Sequence, residues 1–162
     1  MIAAVDVYYT ALNKGKAAAI VFKDFTDQVP YRTYTETFNG LHEYISGSFY
    51  LRELPCILTL VHSIKEDIDT IIIDGYVCLG EKPGLGFHLW KTLGCRVRVI
   101  GVAKSLYKGS SGIKLYRGNS RNPLYITSAG IDAIEAANQI GRMHGKFRIP
   151  ELLKLADSLS RK

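Results

Sequence analysis

Residues 68–75 read IDTIIIDG. Three consecutive isoleucines cannot alternate between a buried face and a wet one. The run therefore predicts a central strand covered on both sides. Asp74-Gly75 ends it, and glycine permits a sharp turn. A doubly covered strand needs a helix on each face of its sheet, and the flanking sequence has the spacing to supply them. Before it, residues 51–64 have helical length and an apolar stripe at Leu54, Ile57, Leu58 and Val61. After it, residues 86–93 predict a second helix and residues 96–101 a further strand.

Further out, IAAVDVYY (2–9) and KAAAIVFK (16–23) predict two strands around the turn signal Asn13-Lys14-Gly15. YRTYTETF (31–38) predicts a third, more exposed strand, and the three are close enough to form an antiparallel meander. A loop with Gly109, Gly112 and Gly118 leads to a strand at 123–127, and helices at 131–143 and 150–159 close the chain. The expected class is α/β, a mixed sheet of an antiparallel three-strand meander plus parallel strands, with helices on both faces. Ribonuclease H-like domains have this order, and the pattern alone also permits other α/β folds. A length of 162 residues predicts a single domain, 1–162, large enough to bury a core without staples.

With 47% hydrophobic and 22% charged residues, the composition excludes global disorder, collagen and coiled coil. No apolar run reaches the ~18 residues of a membrane span, so no membrane association is expected. Cys56, Cys78 and Cys95 make an odd count without a C-x-x-C spacing, which argues against a disulfide framework or a structural zinc site. The N-terminus lacks a basic region and reaches Asp6 at once, unlike a secretory signal. A cytoplasmic protein is expected. The net charge is +6, and no Asp or Glu occurs from Lys82 to Ile131. Nine basic residues fall in that span: Lys82, Lys91, Arg96, Arg98, Lys104, Lys108, Lys114, Arg117 and Arg121. Such a one-sign segment either attracts a polyanion such as nucleic acid or merely solubilises a face.

Two aspartates break apolar strands in the same way. Asp6 lies between Val5 and Val7, and Asp74 follows three isoleucines. An isolated buried charge is very costly, and a divalent cation is one remedy. A salt bridge for Asp6 and a helix cap for Asp74 are the plainer alternatives. Glu53 opens a helix, where the helix dipole already favours an acid and Pro55 suits a helix start. Spacing alone does not tie Glu53 to the aspartates.

Several stretches together resemble the endonuclease V family. AVDVY (4–8) is similar to its first-strand motif, YISGSFYLRE (44–53) to its loop and helix start, and IIIDG (71–75) to its second Asp-Gly. GVAKS (101–105) matches a family stretch outright, and NPLYITS (122–128) and FRIPELLKLAD (147–157) resemble the last strand and helix. The resemblance implies a ribonuclease H-like, metal-dependent endonuclease acting near inosine or deoxyinosine in DNA or RNA, a DNA-repair activity. It implies that Asp6, Glu53 and Asp74 hold magnesium or manganese, and that Lys104 faces the scissile phosphate. Tyr44, Ile45, Ser46 and Gly47 would form a wedge beside the base, with Gly75, Gly80 and Ser105 completing the substrate contacts. A monomer is expected, as is usual in the family.

The chain also departs from the family pattern. Gly80 stands where the family commonly has His, six residues after Asp74, and no His lies between Asp74 and Gly86. Glu43 and Ser46 stand where the family has prolines. Asp157 stands where some members have His and others Asp. His88 matches a family His that resembles a packing residue. If the lost His positions water or the leaving oxygen, the rate falls ~10²–10⁴-fold. A second expectation follows, of a catalytically weak or inactive member that binds nucleic acid through its basic segment.

Overall fold

A computed structural model describes residues 1–11, 13–40, 46, 48–110 and 112–162, without the side chain of Ala11. Its centre is a seven-stranded mixed sheet. In chain order the strands are β1 (Ile2–Ala11), β2 (Lys14–Phe22), β3 (Arg32–Asn39), β4 (Thr70–Asp74), β7 (Arg98–Ala103), β8 (Ile113–Leu115) and β9 (Leu124–Ala129). Two more, β5 (Cys78–Leu79) and β6 (Lys82–Pro83), form a separate small hairpin. The spatial order of the large sheet is β3-β2-β1-β4-β7-β9-β8. β1, β2 and β3 form the antiparallel meander, while β1–β4 and β4–β7 pair in parallel. The far side returns to antiparallel pairing through β9 and β8.

β4 is the central strand that its isoleucines predict. Thr70 to Ile73 are buried. Ile71 and Ile73 point into a layer with Val5, Ile57, Leu60, Leu89 and Val99, under α1 (Tyr50–Ser63) and α2 (Leu85–Thr92). Ile72 points the other way, among Ala4, Ile20, Ile100, Leu124, Ile140 and Ala156, under α3 (Ala133–Gly141) and α4 (Glu151–Ser160). Each fully buried isoleucine contributes about 1.5–3 kcal/mol. Next to β1, Ala17, Ala18 and Ala19 are wholly buried, and their small side chains suit a strand covered by helices on both faces.

The helices and long strands lie within a few residues of the ranges predicted from sequence. Three short strands were not predicted. β5, β6 and β8 are two or three residues long, too short for any periodicity. The buried stripe of α1 is also rotated from the expected one. It runs through Glu53, Cys56, Ile57 and Leu60, so a glutamate occupies a core position. Pro55 lies inside the helix rather than at its first position.

One close approach fixes the chain just after Asp74. The backbone of residues 75–77 lies directly over Gly101 of β7. A Cβ on Gly101 would sit 2.5 Å from the Gly75 carbonyl oxygen, 2.7 Å from Thr127 Oγ1 and 2.9 Å from the Val77 nitrogen. The Val77 N–H donates to Thr127 Oγ1 at 2.8 Å, in a buried position. Gly75 itself has φ of 123°, which favours glycine. Gly101→Ala is therefore expected to destabilise the fold by about 1–3 kcal/mol, read as a lower urea midpoint with unchanged slope. Gly141→Ala meets only Leu115, at 3.4 Å, and should stabilise by up to about 1 kcal/mol in the same measurement.

Candidate active site

The parallel pairing brings the acids together. Val5 of β1 is level with Ile73 of β4, so the next residues, Asp6 and Asp74, stand side by side, about 5 Å apart along the sheet. Asp74 in turn is level with Val102 of β7. Side chains alternate along a strand. Asp6 thus continues the row of Ile2 and Ala4 facing α4, Asp74 continues from Ile72, and Lys104 continues from Ile100 and Val102. Lys104 follows the last residue of β7.

Glu53 arrives from the other layer, on the buried stripe of α1. A cavity of about 260 Å³ is lined by Asp6, Glu53 and Asp74 together with Val5, Val7, Phe49, Ile57, Ile73 and Leu85. A second cavity, about 270 Å³, shares Asp6 and Asp74 and extends beneath α4 past Lys104, Phe147, Arg148, Leu153 and Asp157. Val5 and Ile73 also line both cavities, so the ends of β1 and β4 lie where the two meet.

The charges interact strongly. Glu53 is only 9% exposed. Burial, and then the negative fields of Asp6 and Asp74, push its carboxyl up to about 8. Burial also raises Asp6, and Asp74 and Asp157 add to that, while the Ser160 hydroxyl opposes it by donating to Asp6 Oδ2 at 2.5 Å. Lys104 Nζ donates to Asp74 Oδ2 at 2.6 Å. Both side chains of that pair are about 40% exposed, and an exposed ion pair contributes only about 0–1 kcal/mol. Fold stability does not explain a lysine at this position.

The plainer alternatives for the aspartates fail. Asp74 caps no helix, and Asp6 takes a hydroxyl rather than a salt bridge among the described residues. Asp157 was not among the site residues expected from the sequence, yet it lines the second cavity and is held low by Arg161, at 2.9 Å. Its proximity to Asp6 across α4 has no counterpart in local sequence spacing. His88 stacks on Tyr50 with ring centroids 3.8 Å apart, as a packing residue would. Ser46 is an exposed turn residue, while Tyr44, Ile45 and Gly47 lie outside the described residues.

Among the described residues, no three His, Cys, Asp or Glu side chains stand at a spacing that would already hold a metal ion. Asp74 is turned to Lys104 and Asp6 to Ser160. The donor chemistry nevertheless fits a hard divalent cation, since three carboxylates and no sulfur or imidazole line the first cavity. The ammonium of Lys104, from the second cavity, already sits on Asp74, so this carboxylate accepts a cationic partner there.

Glu53 gives a pH signature. In the unfolded chain it releases its proton near 4.5, and in the folded protein near 8. Between those values the folded state holds more protons, so stability is full below the lower value and declines as pH rises towards the upper one. In metal-free buffer, urea unfolding should show that decline between about pH 5 and 8, and Glu53→Gln should flatten it. Parallel curves for the two proteins would contradict the raised carboxyl.

Comparison with known proteins bears on the fold and the family. The structure superposes on a crystal structure of endonuclease V from Streptomyces avermitilis with a TM-score of 0.83 and 24% identity, over 99% of this chain and 79% of that one. Human ENDOV gives 0.78 and 23%, over 99% and 82%. Endonuclease V from Ciona intestinalis, solved with a 24-mer DNA containing an inosine followed by a ribo-adenosine, gives 0.80 and 21%, over 99% and 83%. These likenesses establish the ribonuclease H-like fold. No curated protein sequence matches the chain. The Endonuclease V family model matches residues 1–129, a span that includes Asp6, Glu53, Asp74 and Lys104, and the chain belongs to the endonuclease V family of nucleases.

Proposed function

We propose that this chain hydrolyses a phosphodiester bond near inosine or deoxyinosine in nucleic acid, with magnesium or manganese held by Asp6, Glu53 and Asp74. The observation that carries the proposal is the convergence of these three acids on one cavity, with Glu53 buried there. A bound ion would supply Lewis acidity, lowering the pKa of water and offsetting charge on the phosphoryl oxygens. Asp6 and Asp74 provide the negative charge that holds it. Glu53 orients the attacking water; without an ion its raised carboxyl still holds a proton at neutral pH, and a bound cation would release that proton and leave the carboxylate free to accept a hydrogen from the water. Lys104 leaves Asp74 to donate to a non-bridging phosphate oxygen. Water attacks phosphorus in line, the bond to the 3′ oxygen breaks, and a 3′-hydroxyl and a 5′-phosphate remain.

Tyr44, Ile45, Ser46 and Gly47 serve as the wedge, and Gly75, Gly80 and Ser105 border the base. Residues 1–162 act as one domain, and one copy suffices. A cytoplasmic location is part of the proposal; among the described residues no helix is long and apolar enough to cross a membrane.

One observation favours a second reading, a slow nuclease that mainly binds. Gly80 has φ of 65°, and a Cβ there would meet the Gly109 carbonyl oxygen at 2.8 Å. No imidazole fits at that position without moving the loop, so the water or leaving oxygen that the family resemblance assigns to a His finds no such partner there.

A cleavage assay with magnesium or manganese separates the readings, on inosine-containing single-stranded RNA, single-stranded DNA and duplex DNA beside matched guanosine controls. The proposal expects inosine-dependent cuts. Asp74→Asn should abolish them, and Lys104→Ala should slow them ~10²–10³-fold, the scale of losing one transition-state donor. No product at enzyme excess with either ion would overturn the hydrolytic reading.

A further inference from the structure

The loop that follows β7 carries Lys104, and two side chains from outside that loop hold its backbone. Arg148, at the approach to α4, donates to the Lys104 carbonyl and, at 2.8 Å, to the Pro123 carbonyl. From the opposite side comes Tyr76, two residues after Asp74. Its hydroxyl donates to the Ser105 carbonyl at 2.8 Å and accepts from the Tyr107 N–H at 3.0 Å. The Tyr76 ring meets the Tyr107 ring edge-on at 6.3 Å. One hydroxyl thus closes both bonds that residues 105–107 make with the segment leaving Asp74.

The base of that segment is rigid. Residues 75–77 lie over Gly101 and are tied to Thr127. Tyr76 therefore transmits a fixed position to the loop, and the loop sets where the Lys104 ammonium lies relative to Asp74. At the far end the loop touches the same segment again, where the Gly109 carbonyl closes on Gly80. The Tyr107 and Leu106 side chains are themselves exposed, so apolar burial does not hold this loop.

We infer that Tyr76 is a positioning residue, whose hydroxyl fixes the loop that aims Lys104 at the scissile phosphate. This rests on the hydrolytic reading above for its kinetic consequence, though not for its structural one. Tyr76 touches neither the reacting atoms nor the carboxylates. Its effect must pass through Lys104.

The test uses Tyr76→Phe, which keeps the ring and removes only the hydroxyl. With the full chain and the best-cut inosine substrate, kcat should fall about tenfold, as a small misplacement of a catalytic group does, with KM nearly unchanged. In a Lys104→Ala background the same change should cost nothing more, because the aimed group is gone. Amide exchange followed by NMR supplies a readout independent of cleavage. The Tyr107 amide should exchange about tenfold faster in Tyr76→Phe than in the parent, while the β7 amides keep their rates. Full kcat in Tyr76→Phe, an equal loss in both backgrounds, or an unchanged Tyr107 exchange rate would each overturn the inference. A parent chain that cuts nothing overturns the hydrolytic reading instead, and the exchange rates then decide the role of Tyr76 alone.

Discussion

Carboxylates on adjacent strands repel each other, and the parallel register of β1 and β4 leaves Asp6 and Asp74 no room to separate. Antiparallel or shifted pairing would relieve them, since a slip of one residue turns a side chain to the opposite face. The isoleucines of β4 forbid that slip in the folded protein, because both faces of the strand are already committed to packing. The repulsion is therefore built in and has to be met locally. Three devices meet it: the Lys104 ammonium on Asp74, the Ser160 hydroxyl on Asp6, and a proton retained on Glu53. Each is a group that a divalent cation could displace or release, which is why the same arrangement suits a metal-dependent reaction.

The strands and helices were legible because each has a long enough pattern. IDTIIIDG predicts its own burial, and register then follows from which strands pair. The two aspartates were visible for the same reason, as charges breaking apolar runs. Glu53 was harder, since a helix start explains an acid without any site. Its signal lay in the stripe formed by residues 53, 56, 57 and 60, in which a glutamate holds a position that packing would give to an apolar residue. The stripe expected from Leu54, Leu58 and Val61 hid that fact, because α1 has apolar residues on more than its core face. Tyr76 gave no signal at all. The partners of its hydroxyl are backbone atoms of Ser105 and Tyr107, and a backbone partner leaves no mark in side-chain sequence.

Charge counting also needed the structure. The basic span from Lys82 to Ile131 suggests a continuous electropositive face, yet its members differ in role. Arg117 is 7% exposed and donates to the carbonyls of Met143, Gly145, Phe147 and Arg148. It ties the segment between α3 and α4, and so the approach to Arg148 and Asp157, and offers nothing to a polyanion. Lys104 is committed to Asp74. The field outside the carboxylate pair comes from the remaining residues of the span, with Lys154 in the lining of the second cavity adding to it. Counterion release scales with the charges that meet phosphates, not with net charge.

Gly80, where the family resemblance implies a His, and the Tyr76 hydroxyl act on one loop. Residues 75–84 and 104–110 meet at two places, the Tyr76 hydroxyl and the contact of Gly80 with Gly109. An imidazole at position 80 would force the second contact open and pull the loop from the first. A loop held at both points gains a fixed lysine and loses space for an imidazole at position 80. In a chain built this way, a larger residue at position 80 and the present placement of Lys104 are not independently adjustable. Restoring one displaces the other, and the Gly109 carbonyl is the atom through which they compete.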